Sequence, residues 1–415
     1  MAELTGVEVE LDIGAVAHGG HCVARWDGRV VFVRHTLPGE RVRVRITEGD
    51  DESRFLRADA IDVLRASPGR VPTPCPYAGP GQCGGCDFQH ADGPTQRRLL
   101  GDVVAEQLSR LTGLDRDVAV EQVGDGLLGW RTRVTFAVGP DGRLGLRAHR
   151  SHDVIAVDRC RIAHPDLPQV TGDRWPVDSV QTVVSSEGDR IVVVSPRPRG
   201  RLPRVGADGV VTADGDRLRG RTSVHEDVRA RSFKVSAGGF WQVHPDAAET
   251  LVAAVLSAAA VQPGDRVADL YAGVGLFSVF LAEAVGDAGV VVSVESSPAA
   301  VRDARRNVHD LPQVRVLGGR VDGALRGDAF GESCDVVVLD PPRTGAKRPV
   351  VEGITGLSPR RVVYVACDPA ALARDVATFM ECGYRLDGLR AFALFPMTHH
   401  VECVALLTKS GSDLR

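Results

Sequence analysis

The chain has 415 residues, too many for one compact core, and its 43% apolar and 25% charged residues are those of an ordinary soluble protein of two or three domains. A net charge of -4 excludes binding of a polyanion through bulk charge, so any nucleic-acid surface has to be a local patch. No apolar run approaches the length of a membrane span, and the N-terminal MAELTGVEVE lacks an apolar h-region, which predicts no membrane contact, no signal peptide and a cytoplasmic protein.

Residues 7 to 65 carry short Val-rich alternating runs, VEVELDIG, RVVFVRH, ERVRVRITE and RADAIDVL, broken by Gly, Pro and Asp-Gly. That pattern predicts a small antiparallel β-barrel over residues 1–66. The Pro-rich SPGRVPTPCPYAGPGQ marks its end and opens a central α+β domain over 67–235. Of nine cysteines, Cys75, Cys83 and Cys86 alone cluster, as C-x7-C-x2-C, and Cys160 of VDRCRI is the candidate fourth member. In a cytoplasmic chain they read as thiols, metal ligands or catalysts rather than disulfides. Four thiolates suit zinc or a [4Fe-4S] cluster, and the spacing alone does not choose; Gly84 and Gly85 allow the tight backbone that ligation needs.

The periodicity of QRRLLGDVVAEQLSRLTGL predicts a helix over 94–114, begun by Pro94 and a candidate to pack on the C-terminal domain. WRTRVTFAVGPDGRLGLRAHR, residues 130–150, reads as a hairpin around Pro-Asp-Gly. Arg131, Arg133, Arg147 and Arg150 in and around it are candidate RNA phosphate contacts, as are Arg197, Arg199, Arg201 and Arg204 of the polar loop SPRPRGRLPRVG. The ordinary reading of such a loop is a solvated surface.

Over residues 236–415 apolar strands alternate with helices, the texture of a mostly parallel, doubly wound sheet with ligands at the carboxyl ends of its strands. DLYAGVGLFSVFLA places Gly273 and Gly275 between a strand and a helix, with Ser278 where a dinucleotide fingerprint has Gly or Ala. Glu295, 20 residues past Gly275 at a strand end, suits both hydroxyls of an adenosyl ribose. VVVLDPPRTGA then puts Asp340 at the same edge, with Arg343 where the related motif of amino-methyltransferases has an aromatic.

The next strand, VVYVACDPAALARD, ends in Cys367. Uracil C5 is a poor nucleophile; a thiolate adding at C6 turns the ring into an enolate that can take a methyl group, and a base then removes the C5 proton. FPMTHHVECVALL supplies Glu402 as that base, with His400 and His399 as nearby alternatives, His399 being read as an ordinary loop histidine.

In this order G-x-G, Glu295, DPPR, VVYVACDP and HHVEC make the chain resemble the bacterial RNA (uracil-5-)-methyltransferases, particularly the branch acting on 23S ribosomal RNA, from VELDIG to VALL. The resemblance implies a TRAM/OB-like barrel that helps hold RNA, and a Rossmann-like sheet binding S-adenosyl-L-methionine through Gln242, Tyr271, Glu295 and Asp340 beside Gly273 and Gly275. It also implies Cys367 as nucleophile, Glu402 as base, and a [4Fe-4S] cluster on Cys75, Cys83, Cys86 and Cys160, although the family's usual first gap is x5. Its substrate is RNA, most directly 23S rRNA, with the target uridine flipped from its stack and no obligate protein partner. Asp368, His244 and Ala393 depart from the family's usual Asn, Asn and Asp. A tRNA uracil-5 methyltransferase and a non-catalytic iron-sulfur RNA-binding protein are the competing readings.

Overall fold

The computed structural model describes residues 3–411. The N-terminal barrel comprises β1 (Glu8–Asp12), β2 (Val16–Ala17), β3 (His21–Trp26), β4 (Arg29–Arg34), β5 (Arg41–Glu48) and β6 (Phe55–Arg65), in the order β1-β5-β6-β4-β3-β2. In β5 the burial alternates strictly: Val42, Val44 and Ile46 point inward while Arg41, Arg43 and Arg45 face water. The barrel is not wholly antiparallel, because β4 and β6 pair in parallel. Period-two alternation fixes which face is buried and is blind to strand direction, so this pairing was not readable locally.

Helix α1 (Gly93–Thr112) starts where Asp92 accepts the Thr95 N–H at 2.8 Å and stops at Gly113, whose φ of 73° lies in the left-handed region. Its buried stripe of Leu99, Val103, Val104 and Leu108 belongs to the same apolar core as Leu372, Val376 and Phe379 of the C-terminal body, so the helix docks there. The short β7 (Val120–Gln122) goes with it, as an edge strand of the large sheet.

The middle sheet holds β8 (Arg133–Val138), β9 (Leu144–Arg147), β10 (Val154–Ala156), β11 (Ser179–Val184), β12 (Arg190–Ser195), β13 (Gly209–Thr212) and β14 (Arg217–Gly220), in the order β10-β9-β8-β11-β12-β13-β14. The predicted hairpin is the β8–β9 pair. A second hairpin, β15 (Ser223–Val228) with β16 (Arg231–Ser236), leads to the large sheet.

That sheet is built from α2 (Ala247–Ala259), β17 (Arg266–Leu270), α3 (Leu276–Val285), β18 (Val290–Glu295), α4 (Pro298–Asn307), β19 (Val314–Gly318), α5 (Val321–Arg326), β20 (Val336–Leu339), α6 (Arg348–Gly356), β21 (Arg361–Ala366), α7 (Pro369–Glu381), β22 (Tyr384–Ala393) and β23 (Glu402–Lys409). Its order is β19-β18-β17-β20-β21-β23-β22-β7. Strands β17 to β21 are parallel and β23 is antiparallel to both neighbours. Val336 and Val338 enter the core under α2 and α3, while Val337 and Leu339 enter the one under α6 and α7. Burial on both faces is why these strands read as unbroken apolar runs. Among the described residues no helix is long and apolar enough to cross a membrane.

Candidate active site

The carboxyl ends of β17, β18, β20 and β21 open on a cavity of about 1370 Å³. That exceeds the range of a single small-ligand pocket and leaves room for two bound groups. Its walls bring together Gln242, Tyr271, Gly273, Glu295, Asp340, Cys367 and Glu402, with Trp130, Arg131, Phe240, Arg343, Phe395 and His400.

On one side the turn after β17 carries three residues with left-handed φ, Tyr271 at 63°, Gly273 at 56° and Gly275 at 90°, which folds the backbone tightly against the ligand space. Gly275 sits just before α3. Glu295 accepts the Gly273 N–H at 3.0 Å with one carboxylate oxygen and the Ser297 N–H at 2.6 Å with the other, so its head is fixed at the end of β18. Oε1 also accepts the Ser296 hydroxyl at 3.4 Å, while Oε2 keeps a free lone pair for a ribose hydroxyl. Ser278 has a role of its own: its Oγ lies 2.5 Å from Asp269 and 2.7 Å from Ser293 Oγ, in the dry interior below the turn. The hydroxyl there gives the buried carboxyl a side-chain donor, beside the Ser278 backbone N–H, that Gly or Ala would lack. Gln242, nearly buried, reaches the cavity from the loop after β16, and Phe240 on the same loop is 72% exposed at the rim.

On the other side the geometry follows from strand direction. Ala366 faces Cys403 across the antiparallel β21–β23 pair. One step beyond that last pair, β21 runs out into Cys367 where β23 begins with Glu402, which puts the two residues opposite each other on the cavity wall. Burial, then the Asp340 charge, raises the Glu402 carboxyl well above the usual carboxylate range. Burial also pushes Asp340 up to about 7, with Asp269 adding to it. Burial, then Glu402 and Asp340, pushes the Cys367 thiol up to about 12, while Arg343 pulls the other way. Arg343 is therefore the cation that serves this acid cluster, and it also reaches His400 Nε2 at 3.3 Å.

The histidine alternatives separate. His400 is driven down to about 3 by burial, then by His399 and Arg343, which makes it a poor proton acceptor near pH 7. His399 is engaged with Asp87, its backbone N–H at 3.1 Å and Nδ1 at 2.6 Å from Oδ2. The three departures each have a local setting. Asp368 caps α7 through the Ala371 N–H at 2.8 Å and meets His18 at 3.1 Å. His244 stacks on Trp130 with ring centroids 5.8 Å apart. Ala393 lies in apolar core, where no polar partner is needed.

The arginines scatter. Arg133 is corrected as an RNA contact: it is only 6% exposed, its Nη1 donates to Gly239 O at 2.5 Å, and it faces buried Glu226 at 3.6 Å. Because removing one member of a buried pair strands the other, Arg133→Ala is expected to lower the unfolding free energy by about 3–5 kcal/mol in urea titration. An unchanged midpoint with weakened RNA binding would restore it as a contact. Arg131 lines the cavity, whereas Arg147 and Arg150 are exposed beside His152 (2.8 Å) and Glu48 (3.6 Å). Arg199, Arg201 and Arg204 are exposed on their loop, and Arg197 lies 3.3 Å from Asp216, next to the rim residue Gly215.

Cys75, Cys83, Cys86 and Cys160 ring a second cavity of about 190 Å³, walled by Val134, Leu146, Val157 and Ile162 and sharing Gly85 and Arg131 with the first. Burial raises the thiols of Cys83, Cys160 and Cys86, the last to about 12. Among the described residues no three His, Cys, Asp or Glu side chains close on a single metal ion. Gln89 Oε1, on the cavity wall, is buried without a partner.

The sequence reading missed Trp130, Phe240 and Phe395 as cavity walls. Phe240 had a signal, an aromatic following Gly-Gly; the others are ordinary core residues by pattern.

Three family models match the chain. The TRAM domain covers residues 3–61, the tRNA (Uracil-5-)-methyltransferase model covers 324–410, and the protein-L-isoaspartate(D-aspartate) O-methyltransferase model covers 242–328. The third spans β17 to β19 and stops before Cys367 and Glu402. An uncharacterized RNA methyltransferase of Streptomyces coelicolor is 49% identical over 435 residues, covering 99% of this chain and 95% of the relative. One from Bifidobacterium longum is 38% identical over 430 residues, covering 98% of both. Among solved structures, the Pyrococcus abyssi tRNA (uracil-54, C5)-methyltransferase in complex with S-adenosyl-L-homocysteine superposes with a TM-score of 0.70 at 24% identity, covering 96% of this chain and 99% of that one.

Proposed function

The chain belongs to the RNA (uracil-5-)-methyltransferases that carry an N-terminal TRAM domain, and from that premise we propose that it methylates uracil C5 in 23S ribosomal RNA through a covalent bond between Cys367 and C6. The observation that carries this reading is the opposition of Cys367 and Glu402 across β21 and β23, in the cavity that also holds Glu295 and Asp340.

S-adenosylmethionine, when bound, supplies an electrophilic methyl group on a positively charged sulfur. Glu295, with Gln242, Tyr271 and Asp340 around it, would hold its adenosyl and amino acid parts. A positive charge at this edge favours the ionised forms of Cys367 and Glu402, against the burial that keeps both protonated. The Cys367 thiolate donates its electron pair to C6, and the C5=C6 pair moves to give an enolate. C5 takes the methyl group and the donor sulfur becomes a neutral thioether. Glu402 removes the C5 proton, the C5=C6 bond re-forms, and the thiolate leaves.

Because the Glu295 carboxylate is already fixed by two backbone N–H groups, Glu295→Ala is expected to weaken S-adenosylmethionine binding about 10- to 100-fold in calorimetry. Unchanged binding would remove Glu295 from the ligand set.

The four cysteines ring one small cavity, and the family resemblance assigns them a [4Fe-4S] cluster. Methyl transfer of this kind needs no electron, so the cluster would act as a staple between the segment 75–86 and Cys160. Cys83→Ser is expected to lower iron per chain and bleach the visible absorption of protein purified without oxygen; full iron content in the variant would count against the assignment.

A tRNA substrate is the second reading, kept by the solved neighbour named for uracil 54 of tRNA. Mapping 5-methyluridine by mass spectrometry in 23S rRNA and tRNA from cells lacking the gene separates the two, loss from tRNA alone overturning the first. Either RNA would place the protein in the cytoplasm.

A further inference from the structure

Resting on the reading of Cys367 and Glu402 as the catalytic pair, we propose that the barrel loop at residues 18–20 is a positioning element of the active site. It holds the two segments that carry the pair, so the barrel contributes to the covalent step as well as to RNA affinity.

The loop connects β2, which ends at Ala17, to β3, which begins at His21, and its stem is anchored in the barrel core by buried Val16 and Cys22. Its first residue touches one catalytic segment. His18 Nε2 lies 3.1 Å from Asp368 Oδ2, and the other oxygen of Asp368 accepts the Ala371 N–H, so the residue bonded to Cys367 is fixed twice. Glu106 of α1 and Arg374 of α7 are the other charges facing His18.

Its last residue touches the other segment. Gly20, with φ of 80°, is packed so closely that an added β-carbon would lie 2.8 Å from the β-carbons of both Asp87 and His399. Asp87 holds His399 by two contacts, and His399 lies three residues before Glu402. Asp87 also adjoins Cys86, and its N–H and that of Phe88 both donate to Met397 O, at 2.8 and 2.9 Å. One three-residue loop therefore bears on the end of β21 and on the approach to β23.

Attack at C6 needs the thiolate within about 3–3.5 Å, and a misplacement of about 1 Å can cost on the order of 100-fold in rate. A bystander loop would leave that rate alone. A loop acting only on RNA affinity would change the concentration of RNA needed and not the rate at saturation.

The test uses the full-length protein with 23S rRNA and bulk tRNA transcribed with 5-fluorouridine, in the presence of S-adenosylmethionine. Fluorine at C5 cannot be removed as a proton is, so the S–C6 bond persists and the adduct is counted on a denaturing gel. At saturating RNA, His18→Ala and Gly20→Ala are expected to slow adduct formation about tenfold or more, with RNA affinity changed less than about twofold. His18→Gln, whose amide can still donate to Asp368, is expected to recover most of the rate and to lose the pH dependence that an imidazole imparts. Melting temperature and S-adenosylmethionine affinity report folding; should Gly20→Ala unfold, the two His18 variants decide alone. Wild-type rates in His18→Ala, or a defect that disappears at higher RNA concentration, would overturn the inference and leave the catalytic reading standing. Absence of any adduct with the unaltered protein on either RNA would overturn both.

Discussion

Replacing Cys367 by alanine is expected to reduce uracil methylation on the order of 10⁴-fold or more and to abolish any covalent complex with RNA. Size is not the reason, since the residue stands at the open end of β21 with cavity on one side and the rest of the fold can close behind a smaller side chain. The loss is chemical. Without a nucleophile at C6 the C5 carbon has no electron pair to offer, and no arrangement of the carboxyls beside it replaces one. Serine should fail almost as completely, because a hydroxyl among Glu402 and Asp340 is still harder to ionise than the thiol that these groups already hold protonated. The measurement is S-adenosylmethionine-dependent release of tritium from RNA labelled at uracil C5, with binding of RNA and of S-adenosylmethionine measured in parallel. Retained release in Cys367→Ala, with binding intact, would sink the covalent reading. The competing reading of a non-catalytic RNA-binding protein predicts no release from either form.

Most of the large sheet was legible because its strands are buried on both faces and therefore appear as apolar blocks ended by Gly, Pro or Asp. The same blocks located Glu295, Asp340 and Cys367, since in such a sheet a polar residue just past an apolar run stands at the carboxyl edge. The rest was lost where a residue's setting is made by distant chain. Arg133 sits in an alternating strand and looks outward from its neighbours, yet Glu226 of β15 and the loop at Gly239 close over it. The three residues of β7 have no periodicity that could announce them as an edge of the large sheet. His18 stands alone in a Gly-rich turn, and its partner lies 350 residues away. Asp368 shows the boundary well: the sequence marks it as a departure, and only the fold shows a helix cap and a second partner in place of an amide.

Glu402→Gln is expected to separate bond formation from release. Glutamine keeps the shape of the side chain, so Cys367 can still attack and C5 can still take the methyl group, but no carboxylate remains to accept the C5 proton. Turnover should fall on the order of 10² to 10⁴-fold while a methylated, covalently bound RNA complex accumulates with natural uridine, without the need for fluorine. The pH dependence carries the same sign. A carboxyl raised by burial and by Asp340 holds its proton at pH values where an ordinary glutamate is ionised. As a base it works only when deprotonated, so resolution of the complex should be lost as pH falls through that raised value and should recover above it. In Glu402→Gln this limb of the profile should vanish, while any dependence that belongs to thiolate formation at Cys367 stays. Burial at the sheet edge thus costs the base part of its ionisation. A Glu402→Gln protein that turns over at the unaltered rate, or whose defect lies in adduct formation with no complex accumulating, would move the proton acceptor elsewhere.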